Sequence, residues 1–372
     1  LVLVRVSAIL QPLMRRKVTI KDIAREAGVS HPTVSRVIHG TGRIAPRTRK
    51  QVQAVMKRMG YVPNLLARGL VSKKVRVIAA IVPDFNPHVT PIFRGIADAC
   101  RLHEYALMVF STDYWAEERV SYLSVVQNWQ VDGVILYNVV YRTTPSAEEL
   151  DLLHRGAPVV FANKYLNIDG VDSVSVDNTA AVRLAVDHLV RLGHRRIGTL
   201  NGGLMSVDGI ERRDAFRQAL ESHGLRYDET ISGDADFFYD EAVEAMRRIL
   251  RERDPPTAMF CANDLMAMGA CRAIEEAGLR VPDDISLVGF DDIEAAGLFT
   301  PALTTIRPAL QEIGREALTL LMARIRDPSR PHEQIPLSTK LVIRDSTGPC
   351  RPRRPLKKRA GGLIAGPDGP QI

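Results

Sequence analysis

The chain has 372 residues, a formal net charge of +7, 45% hydrophobic and 6% aromatic residues. That length exceeds one ordinary domain, and the apolar fraction excludes a wholly disordered chain. Its four cysteines show neither CxxC nor His-coupled spacing, so neither a disulfide framework nor a zinc site is signalled, and no cofactor is expected.

Residues 1–17 are expected to be a disordered extension. Their opening run, LVLVRVSAILQPL, is too short to span a bilayer, and its charges follow the apolar stretch instead of preceding it as in a signal peptide. No membrane partner is expected, and the expected compartment is the cytoplasm, in association with the nucleoid.

Residues 18–62 read as a helix-turn-helix DNA-binding domain. Thr19 is placed to cap a helix from Ile20 to Ala27, with Ile20, Ile23, Ala24 and Ala27 as its buried stripe. Gly28 ends that helix and Ser30 caps the next, whose inner face is Val34, Val37 and Ile38. His31, Pro32, Ser35 and Arg36 then point outward as base readers. Arginine there can donate two hydrogen bonds to guanine, whereas Pro32 offers only apolar contact. The capping residues Thr19 and Ser30, with Thr33, join these as candidate DNA contacts. A third helix, Pro46 to Met59, buries Val52, Val55, Met56 and Met59. Its N-cap is Ala45, which lacks a capping hydroxyl at a cost of about 1 kcal/mol.

Charge separates this module from the rest. Residues 1 to 76 hold 17 Lys or Arg against Asp22 and Glu26, a charge of +15, whereas residues 77 to 348 carry −13. A basic module on an acidic body is what attraction to a phosphate backbone predicts.

Residues 63–73 follow as a hinge, within the run GYVPNLLARGL from Gly60 to Leu70. Together with the helix-turn-helix, this run resembles the LacI family of bacterial transcription regulators from Val18 to Leu70. The resemblance implies a hinge that folds into a short minor-groove helix when two subunits dock on a palindromic operator. It places Asn64, Ala67 and Arg68 near the minor groove and makes Leu70 the wedge between base pairs, which bends the duplex. Gly69, where serine or alanine is more usual, weakens the hinge helix by about 1 kcal/mol and favours folding only on DNA. Because MRRKVTIKDIA resembles a family N-terminus, Met14 is expected to be the natural start.

Residues 74–348 alternate short apolar runs (VRVIAAIV, YALMVFST, DGVILYN, APVVFAN, RIGTL, AMFCAN, SLVGFDD, LTTI) with helical stretches. The helices include Pro91 to Leu102, Glu117 to Gln130, Thr179 to Leu192, Glu211 to His223, Asp240 to Arg251 and Asp264 to Ala277. This pattern predicts an α/β class: an all-α helix-turn-helix domain followed by two doubly wound parallel lobes with a ligand cleft between them, and the family resemblance implies that the lobes bind the effector and carry the dimer contacts. Family resemblance extends here, since the runs NPHVTPIFRGI, VDN, LGHRRIG, Cys261 to Asp292 and PALTTIRP match a body like the periplasmic sugar-binding proteins. It implies effector contacts from Arg212, Asn263 and Asp291, and from His88, Asn163 and Phe237. His194, within a loop motif, reads as structural. Since His88 and Val89 stand where many sugar-responsive members carry consecutive aromatics, and Lys164 and Arg212 lie nearby, an acidic effector such as a sugar acid is expected. Residues 349–372, rich in Pro, Gly and basic groups, are expected to form a disordered tail.

The expected function is a dimeric operator-binding regulator, a repressor, controlled by a carbohydrate-like effector through a population shift. Two alternatives fit less well. A solute-binding protein would need export and no basic module, and a doubly wound enzyme, using Asp291 or the glycines Gly202 and Gly203 at a phosphate, lacks the phosphate-loop and triad motifs, so no catalysis is expected.

Overall fold

A computed structural model describes residues 18–39, 42–61, 75–82, 85–112, 131–137, 157–163, 170–203 and 206–351. Asn64, Ala67, Arg68 and Leu70 of the hinge, the helix expected at Glu117 to Gln130, Lys164, the N-terminal extension and the tail beyond 351 lie outside those residues.

Three helices open the described chain: α1 (Ile20–Glu26), α2 (His31–His39) and α3 (Pro46–Arg58). Thr19 and Asp22 form a reciprocal capping box at α1, with aspartate in the place usually held by Glu or Gln. Gly28 turns the chain at φ 60°. Gln51 of α3 donates to the Ala27 carbonyl at 2.9 Å and so satisfies the end of α1. Ile23, Ala24, Ala27, Val34, Val37, Val52 and Val55 make the common core. With so few side chains in it, each valine or isoleucine there contributes about 1.5–3 kcal/mol. Ala45 makes no side-chain cap, as its chemistry dictates, and Pro46 sits in the first turn of α3.

The body contains two six-stranded sheets. The N lobe uses β1 (Val77–Val82), β2 (Ala106–Ser111), β3 (Gly133–Tyr137), β4 (Val159–Ala162), β5 (Asp172–Val176) and β11 (Gln334–Leu337), in the order β11-β5-β4-β3-β1-β2. The C lobe uses β6 (Ile197–Asn201), β7 (Ser232–Asp234), β8 (Ala258–Cys261), β9 (Ser286–Phe290), β10 (Thr304–Pro308) and β12 (Thr339–Val342), in the order β12-β10-β9-β8-β6-β7. All pairings are parallel except β10 with β12. Strands β1, β3, β8 and β9 are buried along their whole length, as parallel strands covered on both faces must be. Helices α4 (Val89–Leu102), α5 (Asn178–Arg191), α6 (Val207–Ser222), α7 (Tyr239–Ile249), α8 (Asp264–Glu276), α9 (Glu294–Leu298) and α10 (Leu310–Arg326) complete the body.

The lobes are not consecutive halves of the chain. It passes from N lobe to C lobe between β5 and α5, returns between β10 and α10, and passes again between β11 and β12. Three adjacent connections of this kind make a hinge about which the lobes can close.

In the N lobe, α4 and α10 touch at backbone distance. A methyl group on Gly95 would lie 2.0 Å from the Gln311 carbonyl oxygen, and one on Gly314 would lie 2.1 Å from that of Ile92. Glycine on both helices is therefore what allows this approach.

Two differences from the sequence reading concern ends and edges. Strands β7, β11 and β12 are outer strands, and β11 accepts Pro336 because one side of an edge strand needs no donor. Residues 349 to 351, assigned above to the tail, are attached to the C lobe: the Cys350 N–H donates to the Leu192 carbonyl at 2.8 Å, and Arg351 pairs with Asp283 at 2.6 Å. Backbone pairing, which composition does not reveal, holds them there.

Candidate DNA interface and effector cleft

On the small domain, His31, Pro32 and Arg36 are exposed, Thr33 and Ser35 are half-buried, and Val34 and Val37 face inward. Ser30 caps α2 by accepting the Thr33 N–H at 3.3 Å, and its hydroxyl meets that of Thr33 at 2.8 Å. Thr19 is more committed. Its hydroxyl donates to Asp22 at 2.7 Å and its N–H donates to the same carboxylate at 2.9 Å. The start of α1 thus already holds an anion, and a phosphate approaching Thr19 would meet Asp22.

Between the lobes lies a cavity of about 310 Å³, at the lower end of the range for small-ligand sites. His88, Asn163, Arg212, Phe237, Asn263 and Asp291, far apart in sequence, all line it. They lie just after strands, in the loops that follow them or near the starts of helices, with Arg212 in the second turn of α6, where open α/β sheets leave a crevice.

Arg212 is buried and partly engaged by protein groups. Its Nε donates to Asn178 at 3.0 Å and one Nη donates to the Ala262 carbonyl at 2.6 Å, with the Asp291 carboxylate at 3.9 Å. Its guanidinium lies 3.6 Å from the centroid of the Phe290 ring and 5.9 Å from that of Phe237. A buried cation needs partners of this kind to be tolerated. Asn263 is similarly occupied: it caps α8 by accepting the Met266 N–H at 2.8 Å and donates to the Phe237 carbonyl at 3.0 Å, fixing the loop that carries Phe237.

Asp291 and Asp292, both at positive φ, divide their work. Asp292 binds Arg344 at 2.6 Å and also Arg307, which makes it a loop fastener. Asp291 faces the cavity. Burial pushes its carboxyl above the ordinary range, while His88 and Arg212 pull it down. Burial also raises Asp264 well above that range, assisted by the charge of Asp291; it accepts from Thr305 at 2.5 Å and from the Ile293 N–H at 2.9 Å.

Several lining residues were not read from the sequence, among them Asn86, Tyr137, Ser206, Asp208, Asp236 and Phe238. Asp208 carried a usable signal, since it lies four residues before Arg212 on one helix and so shares its face. It accepts from Asn163 of the N lobe at 2.5 Å and from Asn178 at 2.9 Å. Val89, by contrast, is wholly buried at the start of α4, so of the pair after Asn86-Pro87 only His88 reaches the cavity, its ring 6.1 Å from that of Tyr137.

Asp208, Asp236, Asp264 and Asp291 surround the cavity, and its one arginine, which motivated the expectation of an acidic effector, is partly held by protein groups. The glycines weighed for phosphate binding have another use: a methyl on Gly202 would strike the Phe237 ring at 2.1 Å, and one on Gly203 would meet Asp236 at 2.5 Å. His194 is buried as a clamp, meeting Thr257 at 3.0 Å, Ser286 at 3.1 Å and the Gly348 carbonyl at 3.0 Å.

Among the described residues, no helix is long and apolar enough to cross a membrane, and no group of three or more His, Cys, Asp or Glu side chains is arranged to hold a metal ion.

Comparison with known proteins gives two family matches, to bacterial regulatory proteins of the lacI family over residues 19–64 and to a periplasmic binding protein-like domain over residues 186–347. The transcriptional regulator CelR of Thermobifida fusca is 35% identical over 342 residues, which span 89% of this chain and 99% of that protein. A structure of a CelR-cellobiose complex matches with a TM-score of 0.69 at 32% identity, covering 88% of this chain and 99% of that one. A Lac repressor dimer bound to operator and an anti-inducer matches with a TM-score of 0.80 at 28% identity, covering 90% and 100%.

Proposed function

Because the chain belongs to the lacI family of bacterial regulatory proteins, and is accordingly a DNA-binding transcriptional regulator under effector control, we propose that its effector is a neutral, hydroxyl-rich molecule such as a sugar. It binds operator DNA as a dimer, in the manner general to the family. His31, Pro32, Ser35 and Arg36 are the proposed base readers, with Ser30 and Thr33 at the start of the same helix. The hinge residues Asn64, Ala67, Arg68 and Leu70 are the proposed minor-groove contacts.

One observation carries the effector reading: four aspartates and one partly held arginine line the cavity. Carboxyl groups bond hydroxyl groups whether ionised or not, and those that stay ionised repel a second anion in a site of low dielectric. Phe237 supplies an apolar face beside them. That the similar protein CelR occurs as a complex with cellobiose, a neutral disaccharide, supports the same reading. The action proposed is binding alone, with no reaction catalysed, carried out in the cytoplasm where operator DNA lies. The basic N-terminal module favours this over simple solute binding.

Calorimetry of the full chain with matched pairs of neutral sugars and their sugar acids tests the proposal. The neutral member of a binding pair is expected to bind more than about tenfold tighter than the acid. Tight binding of the acid with none of the neutral sugar would overturn it.

A further inference from the structure

The loop before α7 carries consecutive aromatics, and they face different surroundings. Phe237 is half-buried, packed over Gly202 and near Arg212. Phe238 also lines the cavity, yet it is 54% exposed. One ring is therefore both wall and outer lip. Its backbone is fixed, since the Phe238 N–H donates to the Ala235 carbonyl at 2.8 Å and its carbonyl accepts from Ala242 at 3.2 Å, so the ring is held at the mouth by the start of a helix. Beside it Asp236 lines the cavity with an exposed side chain. In the N lobe, Phe85 immediately precedes the lining residues Asn86 and Pro87 and is 66% exposed, its ring 6.0 Å from that of Phe93.

Large apolar rings left open to water beside a polar cavity mark a place where a ligand continues outward. An aromatic face takes the C–H face of a sugar ring, and a carboxylate beside it takes that ring's hydroxyls. We propose that Phe238, with Asp236, forms an outer subsite for a second sugar ring, so that the effector is an oligosaccharide whose first ring lies inside the cavity. This rests on the neutral-sugar reading above. It goes beyond it by assigning ligand length, and by giving an exposed aromatic a task that the inner site does not need.

The test is calorimetry of the full chain against a panel of neutral monosaccharides and the oligosaccharides built from them, repeated on Phe238→Ala and Phe238→Tyr. The subsite predicts an oligosaccharide that binds about tenfold tighter than its own monosaccharide unit, an advantage lost in Phe238→Ala and kept in Phe238→Tyr. Because the side chain is mostly exposed, the alanine variant folds, which an unchanged melting temperature verifies. If monosaccharides bind as tightly as oligosaccharides, or if Phe238→Ala keeps the advantage, the subsite is wrong while the neutral-sugar reading stands. If no neutral sugar of either length binds, that reading fails and the subsite fails with it.

Discussion

Asn163 of the N lobe donates to Asp208 of the C lobe at 2.5 Å, so an amide and a carboxylate that line the effector cavity join the two lobes. Both ends are held. The Asn163 N–H bonds to the Val174 carbonyl at 2.7 Å, with φ at 90°, and Asp208 also accepts from Asn178 at 2.9 Å. Hydrogen bonds to a charged group contribute about 1.5–3 kcal/mol, enough to shift a balance between closed and open lobes. Asn163→Ala is therefore expected to open the ligand-free protein. Small-angle scattering should give a larger radius of gyration for the variant than for the parent, and identical curves would show that the bond does not hold the lobes.

Replacing either glycine at the α4–α10 crossing forces a methyl into a backbone carbonyl. Gly95→Ala and Gly314→Ala should each destabilise the protein by about 1–3 kcal/mol, seen as a lower unfolding midpoint. Gly297→Ala, within α9, is the control: the nearest atom to its added methyl is a side-chain nitrogen of Arg344 at 3.9 Å, and its midpoint should not fall, since alanine favours a helix over glycine.

Burial lowers the pKa of His194 from 6.5, and burial does the same to His188. The sign follows from which state takes the proton. Above about pH 6.5 both folded and unfolded chains hold these histidines neutral, and stability is unaffected. As pH falls below that value the unfolded chain binds protons that the folded chain refuses, so stability declines towards the lower folded pKa. Melting temperature should fall between about pH 7 and about pH 5, and His194→Asn should show a shallower fall. A steeper fall in that variant would contradict the assignment.

Much of this was legible in sequence, and the gaps have physical causes. The helix-turn-helix could be read because its core repeats at helical spacing and Gly28 marks its turn. Buried strands such as β1 and β9 announced themselves as unbroken apolar runs. The edge strands β7, β11 and β12 did not, being short and half polar, with Pro336 inside β11. Six cavity residues could be named because the resemblance fixes positions by motif. What each atom already does was not legible: the engagement of Arg212 by Asn178 and Ala262 depends on three-dimensional closure, and the proposal of a neutral effector rests on it. Phe238 was passed over beside Phe237, since adjacent aromatics in a loop give no sign of which one turns outward.

Arg36 is the exposed cation on the proposed reading helix, one turn past Pro32. Arg36→Ala should relax preference at one base pair in each half-site and weaken binding by about 1–3 kcal/mol per contact, measured by titration on operators altered one base pair at a time. A uniform loss on every sequence would instead make Arg36 a phosphate contact.

The most direct measurement is selection of DNA sites by the full chain from a random pool, followed by sequencing. The account predicts a palindromic site with two symmetric half-sites, as a two-fold dimer requires. Enrichment of no sequence, or only of a site without two-fold symmetry, would contradict it.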